Sequence, residues 1–115
     1  MKVTADVLEK LGACSRGVEK FRSKHPKGLK LTYANARRAA REGFSVGSFG
    51  SYTTKRTCHE KQDRAFEALG FRPYRDFQKV KYELAWAKVI WQSIVSGGLT
   101  ARARRLMEAA DGGKR

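Results

Sequence analysis

The side chains of this sequence best suited to metal binding or nucleophilic chemistry are two cysteines and two histidines. They are Cys14, Cys58, His25 and His59, and no pair of them has the spacing of a zinc finger. Cys58 and His59 are adjacent, so on a helix they point to different faces, and no third residue completes a nucleophilic arrangement. Cys14 follows apolar neighbours, which indicates a small buried side chain. We therefore predict no metal site and no cofactor.

The carboxylates do not indicate catalysis either. Glu60, Asp63 and Glu67 recur three and four residues apart with basic residues between them, which is typical of a salt-bridged helix surface. A metal-dependent nuclease would draw its carboxylates from several elements. The sequence also lacks a phosphate-binding Walker loop, an HExxH motif and a nucleophile elbow. We expect a protein that is not an enzyme and has no small-molecule substrate.

Basic side chains are the dominant chemical feature. The 115 residues contain 25 Lys and Arg against 11 Asp and Glu, which gives a formal net charge of +14. Such a charge favours a polyanionic partner, namely DNA, RNA, a nucleoprotein complex or an anionic membrane surface. Charged helix faces are often only solvated, but a net charge of this size favours phosphate contacts. The basic clusters are nine residues between 16 and 41, the pair Lys55 and Arg56, the group Lys79, Lys81 and Lys88, and the triplet Arg102, Arg104 and Arg105.

Residues 35–56 have the spacing of a helix-turn-helix unit. Ala39 is the small residue that would let two helices cross, and Gly43, four positions later, would form the turn. Phe44, Phe49 and Tyr52 stand where apolar anchors are needed. The residues expected to contact phosphates or base edges are Arg37, Arg38, Arg41, Ser48, Ser51, Thr54, Lys55 and Arg56, with Arg102, Arg104 and Arg105 as a second patch.

Two glycines leave alternatives open within this stretch. Gly47 and Gly50 each cost about 1 kcal/mol in a helix interior relative to Ala. The stretch is therefore also compatible with a hairpin whose arms are residues 44–46 and 51–54, or with a loop. The aromatic side chains Phe44, Phe49 and Tyr52 would then either fill the core or stack on unpaired bases.

Capping and turn residues divide the chain into helices and show no domain boundary. The predicted helices span residues 5–11, 16–25, 33–42, 59–69, 73–96 and 101–110. The fold class is all-α, a single compact domain over residues 1–110 with five or six short helices around one long helix. Residues 111–115 are expected to form a frayed tail.

The long helix, about residues 73–96, has apolar side chains three and four residues apart. Trp86, Val89, Ile90 and Trp91 lie within this stretch, whose apolar stripe is wider than one narrow seam. We expect this helix to be the central core element. Where these four residues are not used internally, they would form the contact of a homodimer.

The compartment follows from what the sequence lacks. The first residues have no apolar signal core, and the longest apolar stretch, residues 84–95, is far shorter than the roughly 20 residues of a membrane span. The cysteines show no CxxC spacing, which favours free thiols in a reducing compartment. We expect a cytoplasmic protein that does not contact a membrane.

Residues Leu8 to Val46 combine a Gly-Ala-Cys entry to a helix, an aromatic residue, a Pro and Gly turn, a Thr cap and an Ala-rich helix. This combination resembles small accessory open reading frames of phages and prophages, although the tryptophan-rich continuation often found there is absent. The resemblance implies a phage or mobile-element origin and action in a bacterial host cell. Small factors of this kind often inhibit host machinery, including CRISPR–Cas effectors.

Two functions follow from charge and resemblance together. The first is a small phage-type accessory protein that binds nucleic acid or a nucleoprotein complex through its Arg and Lys patches and acts by occupancy. The alternative is a protein-directed inhibitor of a host defence nuclease, of the anti-CRISPR type. In the first, nucleic acid itself is the main binding partner, whereas in the second affinity for one protein far exceeds affinity for free DNA.

Overall fold

In the computed structural model, which describes residues 1–71 and 80–112, helices begin where the sequence has capping side chains. The hydroxyls of Thr4, Thr32 and Thr100 each accept a hydrogen bond from the backbone N–H three residues later, at 3.0–3.1 Å. Ser45 caps a further helix in the same way. The helices are α1 (Ala5–Lys10), α2 (Ser15–Lys24), α3 (Tyr33–Arg41), α4 (Val46–Thr53), α5 (Arg56–Ala68), α6 (Val80–Val95) and α7 (Ala101–Gly112).

The sequence did not predict a short antiparallel ribbon that these residues contain. Strand β1 (Lys2–Val3) pairs with β2 (Leu29–Lys30), and Val3 lies opposite Leu29. Two residues per strand are too few to show alternation in a sequence. The ribbon joins the first residues to the segment before α3, and the fold class remains all-α, as predicted.

The core forms around α6, against which α3, α4 and α5 all pack. Five of its side chains are buried, namely Ala85, Ala87, Val89, Ile90 and Ile94. The predicted long helix is confirmed over residues 80–95, and its first part, residues 73–79, lies outside the described residues. Short helices around one longer helix are therefore the architecture of the described chain.

Residues 46–53 are helical, so the hairpin and loop alternatives are wrong. The reason is the close approach of α6. Gly47 faces the Trp86 ring, where a Cβ would stand 3.2 Å from Cδ1, and a Cβ at Gly50 would overlap the Ile90 side chain. The two glycines that weaken α4 by propensity are the residues that let α6 pack against it.

The four residues that would form a homodimer contact if they were not used internally all pack within the protomer. Val89 and Ile90 are 4% and 2% exposed, so the assignment of these two to a dimer contact is wrong. The half-buried Trp86 ring stacks on Phe66, with centroids 4.1 Å apart. The Trp91 ring stacks on Tyr33 at 6.3 Å. The apolar spacing along the long helix therefore marks a face of α6 that is buried in the core.

The C-terminal helix is longer than predicted. It continues through Asp111 to Gly112, and the Asp111 carboxylate accepts a hydrogen bond of 3.4 Å from the N-terminal ammonium. The expected frayed tail therefore begins no earlier than residue 113, and residues 113–115 lie outside the described part. No helix within residues 1–71 and 80–112 is long and apolar enough to cross a membrane.

Candidate nucleic-acid interface

Helix α3 carries three exposed arginines, Arg37, Arg38 and Arg41. The Arg37 guanidinium lies over the Tyr33 ring at 5.8 Å, which orients its side chain. Arg38 Nε is 3.6 Å from the Glu42 carboxylate. No ion pair joins Arg37 or Arg41 to another described residue. These two guanidinium groups are therefore available for an external anion.

The turn after α3 is held in a single shape. Gly43 has φ +89°, and its N–H donates to Ala40 O while the N–H of Phe44 donates to Ala39 O. This pair of bonds is a Schellman motif, whose left-handed position favours glycine. Ser45 then starts α4. The predicted order of helix, glycine turn and second helix is thus present, and the turn fixes where the α3 arginines point.

A hydrogen bond between the buried His25 side chain and the Glu42 carboxylate also holds this turn. His25 Nε2 lies 2.7 Å from Glu42 Oε1, and the His25 side chain is 5% exposed. Burial by itself would raise the pKa of Glu42. The hydrogen bond with His25 and the charges of His25, Arg38 and Lys24 outweigh burial and lower the pKa of Glu42 below its ordinary value. The carboxylate thus stays ionised and links α2 to the turn.

Helix α2 contributes further basic side chains near the same turn. Lys20 Nζ donates to the backbone oxygen of Glu42 at 3.0 Å and lies 4.6 Å from the centroid of the Phe44 ring. Lys24 is close enough to influence the pKa of Glu42. The run of nine basic residues in the sequence therefore folds partly into one surface around residue 42. This convergence follows from the α2–turn contact, which no local pattern indicates.

Helix α4 presents fewer contact residues than predicted. Ser51 is exposed and Ser48 half-buried, and their hydroxyl groups bond to Gly47 O and Ser45 Oγ respectively. The assignment of Thr54 to a groove contact is wrong, because Thr54 is 2% exposed. Its hydroxyl donates to Gly50 O and accepts from Gln62 Nε2. Thr54 is therefore part of a buried hydrogen-bond network.

The start of α4 already holds an anion supplied by the chain. The Glu83 carboxylate of α6 accepts hydrogen bonds from Val46 N and Gly47 N at 2.9 and 3.3 Å. Burial raises the pKa of Glu83, and these two backbone bonds oppose the rise. Glu83 and Asp63 line a polar cleft of about 320 Å³ beside Ser51. Two carboxylates disfavour a phosphate there, so the α4 N-terminus is a poor site for a nucleic-acid backbone.

The other basic residues predicted as contacts lie around the start of α7. The backbone of residues 53–55 pairs with residues 98–100, through Lys55 N to Gly98 O at 2.8 Å and Thr100 N to Thr53 O at 2.9 Å. This pairing brings the exposed Lys55 and Arg56 beside the start of α7, which carries Arg102, Arg104 and Arg105. The Arg102 guanidinium donates to Lys10 O at 2.7 Å, so it also ties α7 to the end of α1.

The aromatic residues predicted to anchor the helix-turn-helix unit do not pack as that motif requires. Phe44 packs edge-on against Phe21 of α2, with centroids 5.5 Å apart, instead of filling the α3–α4 crossing. Phe49 and Tyr52 are half-buried and line an open groove between α2, β2, α3 and α4. Helices α3 and α4 pack mainly on α6 and little on each other. The unit has helix-turn-helix connectivity with a different packing.

The cysteines and histidines show no shared site. Cys14 is exposed at the start of α2, so the expectation of a buried side chain is wrong, and Cys58 is half-buried. Among residues 1–71 and 80–112 no three His, Cys, Asp or Glu side chains are grouped to hold a metal. On α5, Arg64 lies 3.6 Å from Glu60, which confirms a salt bridge on that surface.

Comparison with known proteins gives no match, whether to a family model, to a curated protein or to a solved structure. The resemblance of residues 8–46 to phage open reading frames therefore stays a prediction. The function has to be argued from the surface of this chain alone.

Proposed function

We propose that this protein is a small phage-type accessory protein of the bacterial cytoplasm that binds nucleic acid or a nucleoprotein complex and acts by occupancy. Arg37 and Arg41 of α3 would make the main contact. The second surface, defined by Lys55, Arg56, Arg102, Arg104 and Arg105, would extend it. Ser48 and Ser51, which the sequence predicts as contacts, line the cleft that also contains Asp63 and Glu83 and are not part of this proposal.

The observation that carries this proposal is the exposure of arginines that no carboxylate neutralises. Ion pairs within the described residues involve Arg22, Arg38 and Arg64 among the Lys and Arg side chains. Most other Lys and Arg side chains of the described chain have no carboxylate partner there. Arg37 and Arg41 stand one helical turn apart, so both can reach one phosphate backbone. Guanidinium groups in this arrangement suit forked contacts to phosphate oxygens.

The experiment is a fluorescence anisotropy titration with labelled double-stranded DNA, single-stranded DNA and RNA over a range of salt concentrations. The variant is Arg37→Glu with Arg41→Glu. We expect at least about tenfold weaker binding, and a slope of log K against log salt that is shallower by about 2, since each lost phosphate contact removes about 0.9. Arg38 is left unchanged because reversal there would place a carboxylate beside Glu42.

The matched control is Lys61→Glu with Lys88→Glu, two exposed positions on α5 and α6. Both double variants lower the net charge by the same amount, so a general field would weaken binding equally in both. Equal losses would contradict an α3 contact. Far-UV circular dichroism of each variant checks that helix content is unchanged.

One observation favours the alternative, a protein-directed inhibitor of a host defence nuclease such as a CRISPR–Cas effector. The groove between α2, β2, α3 and α4 is open and lined mainly by apolar side chains, and a phosphate backbone has nothing to place in it. The test is a cleavage assay with a purified effector and equimolar protein. Inhibition that the Arg37→Glu/Arg41→Glu variant retains would favour this alternative.

A further inference from the structure

The open groove beside the turn is an apolar feature that nucleic-acid binding does not use. It has a volume of about 180 Å³, and its walls include Leu31, Ala36, Ala39, Phe44, Phe49 and Tyr52. A cavity of roughly 150 Å³ lined by apolar side chains admits a benzene molecule. Drug-sized ligands and cofactors need about 300 Å³ or more. The groove therefore fits one large apolar side chain.

The walls come from six elements, namely β1, α1, α2, β2, α3 and α4, and are held by hydrogen bonds of this chain. Asn35 Nδ2 donates to Lys30 O at 2.8 Å, which ties α3 to β2. Thr32 Oγ1 accepts from the N–H of Asn35, and Ser45 Oγ donates to Ser48 Oγ at 2.8 Å. The groove is thus present in the folded protein before any ligand enters.

The same bonds argue against a nucleobase as the occupant. Among the polar side chains of the wall, Thr32, Asn35, Ser45 and Ser48 already have hydrogen-bond partners in the fold. A base that entered would exchange hydrogen bonds to water for few new ones, which is unfavourable. An apolar side chain has no such loss. Stacking of unpaired bases on Phe44, Phe49 and Tyr52 is accordingly the weaker interpretation.

The rim of the groove is positively charged. Lys30 lines it, and Lys20 stands over the Phe44 ring. The carboxylate of the neighbouring turn, Glu42, is engaged by His25 and Arg38 and does not offset this charge toward a ligand. Charge complementarity therefore favours an acidic ligand around an apolar anchor.

We propose that this groove is the docking site for an acidic segment of a partner protein, which inserts one aromatic or branched aliphatic side chain and sets its carboxylates against Lys20 and Lys30. The occupant is a protein segment, not nucleic acid. This inference deepens the inhibitor alternative by naming its contact site, and it does not depend on nucleic-acid binding through α3.

The test uses anilinonaphthalene sulfonate, an aromatic anion, as the probe in a fluorescence titration of the folded protein. Ala39→Leu fills the groove from its α3 wall, and we expect it to weaken probe binding at least tenfold. Ala34→Leu is the matched control, because Ala34 is exposed on the same helix and does not line the groove. Lys30→Glu should weaken binding several-fold without filling the groove.

Peptide competitors identify the occupant. An acidic peptide with one central Trp should displace the probe, whereas the same peptide with Gly in place of Trp should not. Equal displacement by both peptides, displacement by oligothymidylate, or no effect of Ala39→Leu would overturn the proposal. The Arg37→Glu/Arg41→Glu variant should bind the probe normally, which separates failure of this proposal from failure of the nucleic-acid interface.

Discussion

An alanine at position 50 would place a methyl group in the space of the Ile90 side chain. The Cβ would overlap Ile90 Cδ1 and stand 2.7 Å from Cγ1, well inside the 3.5–4.0 Å at which carbon atoms normally meet. Ile90 is 2% exposed and lies in the main core with Ile94, so its side chain can shift only by displacing core neighbours. Gly50→Ala should therefore force α4 away from α6.

The size of the effect follows from two opposing terms. Overpacking of a well-filled core costs about 1–3 kcal/mol, and the severity of this overlap sets it near 3. Replacing Gly by Ala inside a helix returns about 1 kcal/mol. The net loss is about 2 kcal/mol in the free energy of unfolding. Urea unfolding followed by circular dichroism measures it, and a thermal melt should show a fall of roughly 8 °C.

Two companion variants test the reasoning behind that number. Gly47→Ala meets only the half-buried Trp86 ring, 3.2 Å away, so its stability should stay within about 1 kcal/mol of the parent. Ile90→Val removes Cδ1, and in that background Gly50→Ala should cost less by at least about 1 kcal/mol. Higher stability of Gly50→Ala in the parent protein would refute the packing of α4 on α6 described above.

Two further predictions concern the turn and the buried network. The pKa of Glu42 is lowered from its ordinary 4.5, so its pair with His25 contributes stability that is fully present above pH 4.5. That stability is lost as the pH falls through the lowered pKa. Glu42→Gln should flatten this loss in urea melts at acidic pH, and an unchanged pH profile would contradict it. Thr54→Val removes the hydroxyl partner of Gln62 and should lower the free energy of unfolding by about 1–3 kcal/mol without changing nucleic-acid affinity. A variant that keeps the parental stability but binds nucleic acid more weakly would show that Thr54 does contact nucleic acid.

Local chemistry explains how much of the fold the sequence could predict. Thr4, Thr32 and Thr100 cap helices by bonds that span three residues, and Gly43 forms a turn within five. Capping and turn interactions of this kind join residues that are close in sequence, so the sequence alone predicts them. The two-residue strands β1 and β2 have no such window, because their pairing joins segments 26 or more residues apart, as in Val3 with Leu29.

The candidate site shows where local signals stop. The exposure of Arg37, Arg38 and Arg41 follows from the amphipathic pattern of α3. The burial of Thr54 does not, because it depends on Gln62 and on the approach of the chain around Leu99. The same holds for the glycines of α4, which read as helix-weakening until α6 is seen to pack on them. Tertiary contacts therefore decided the burial of Thr54, Val89 and Ile90.

The start of α5 gives a separate argument for an anionic partner. A helix N-terminus carries a partial positive charge, so cations there are unfavourable by about 0.3–1 kcal/mol each. Lys55 is the N-cap residue of α5 and forms no side-chain cap, Arg56 follows it, and the first turn contains no acidic residue. Helix α1, by contrast, has Asp6 in its first turn and Lys10 in its last, as the helix dipole prefers. The charges of Lys55 and Arg56 are unfavourable at this end of the α5 dipole, and a bound polyanion would relieve that repulsion.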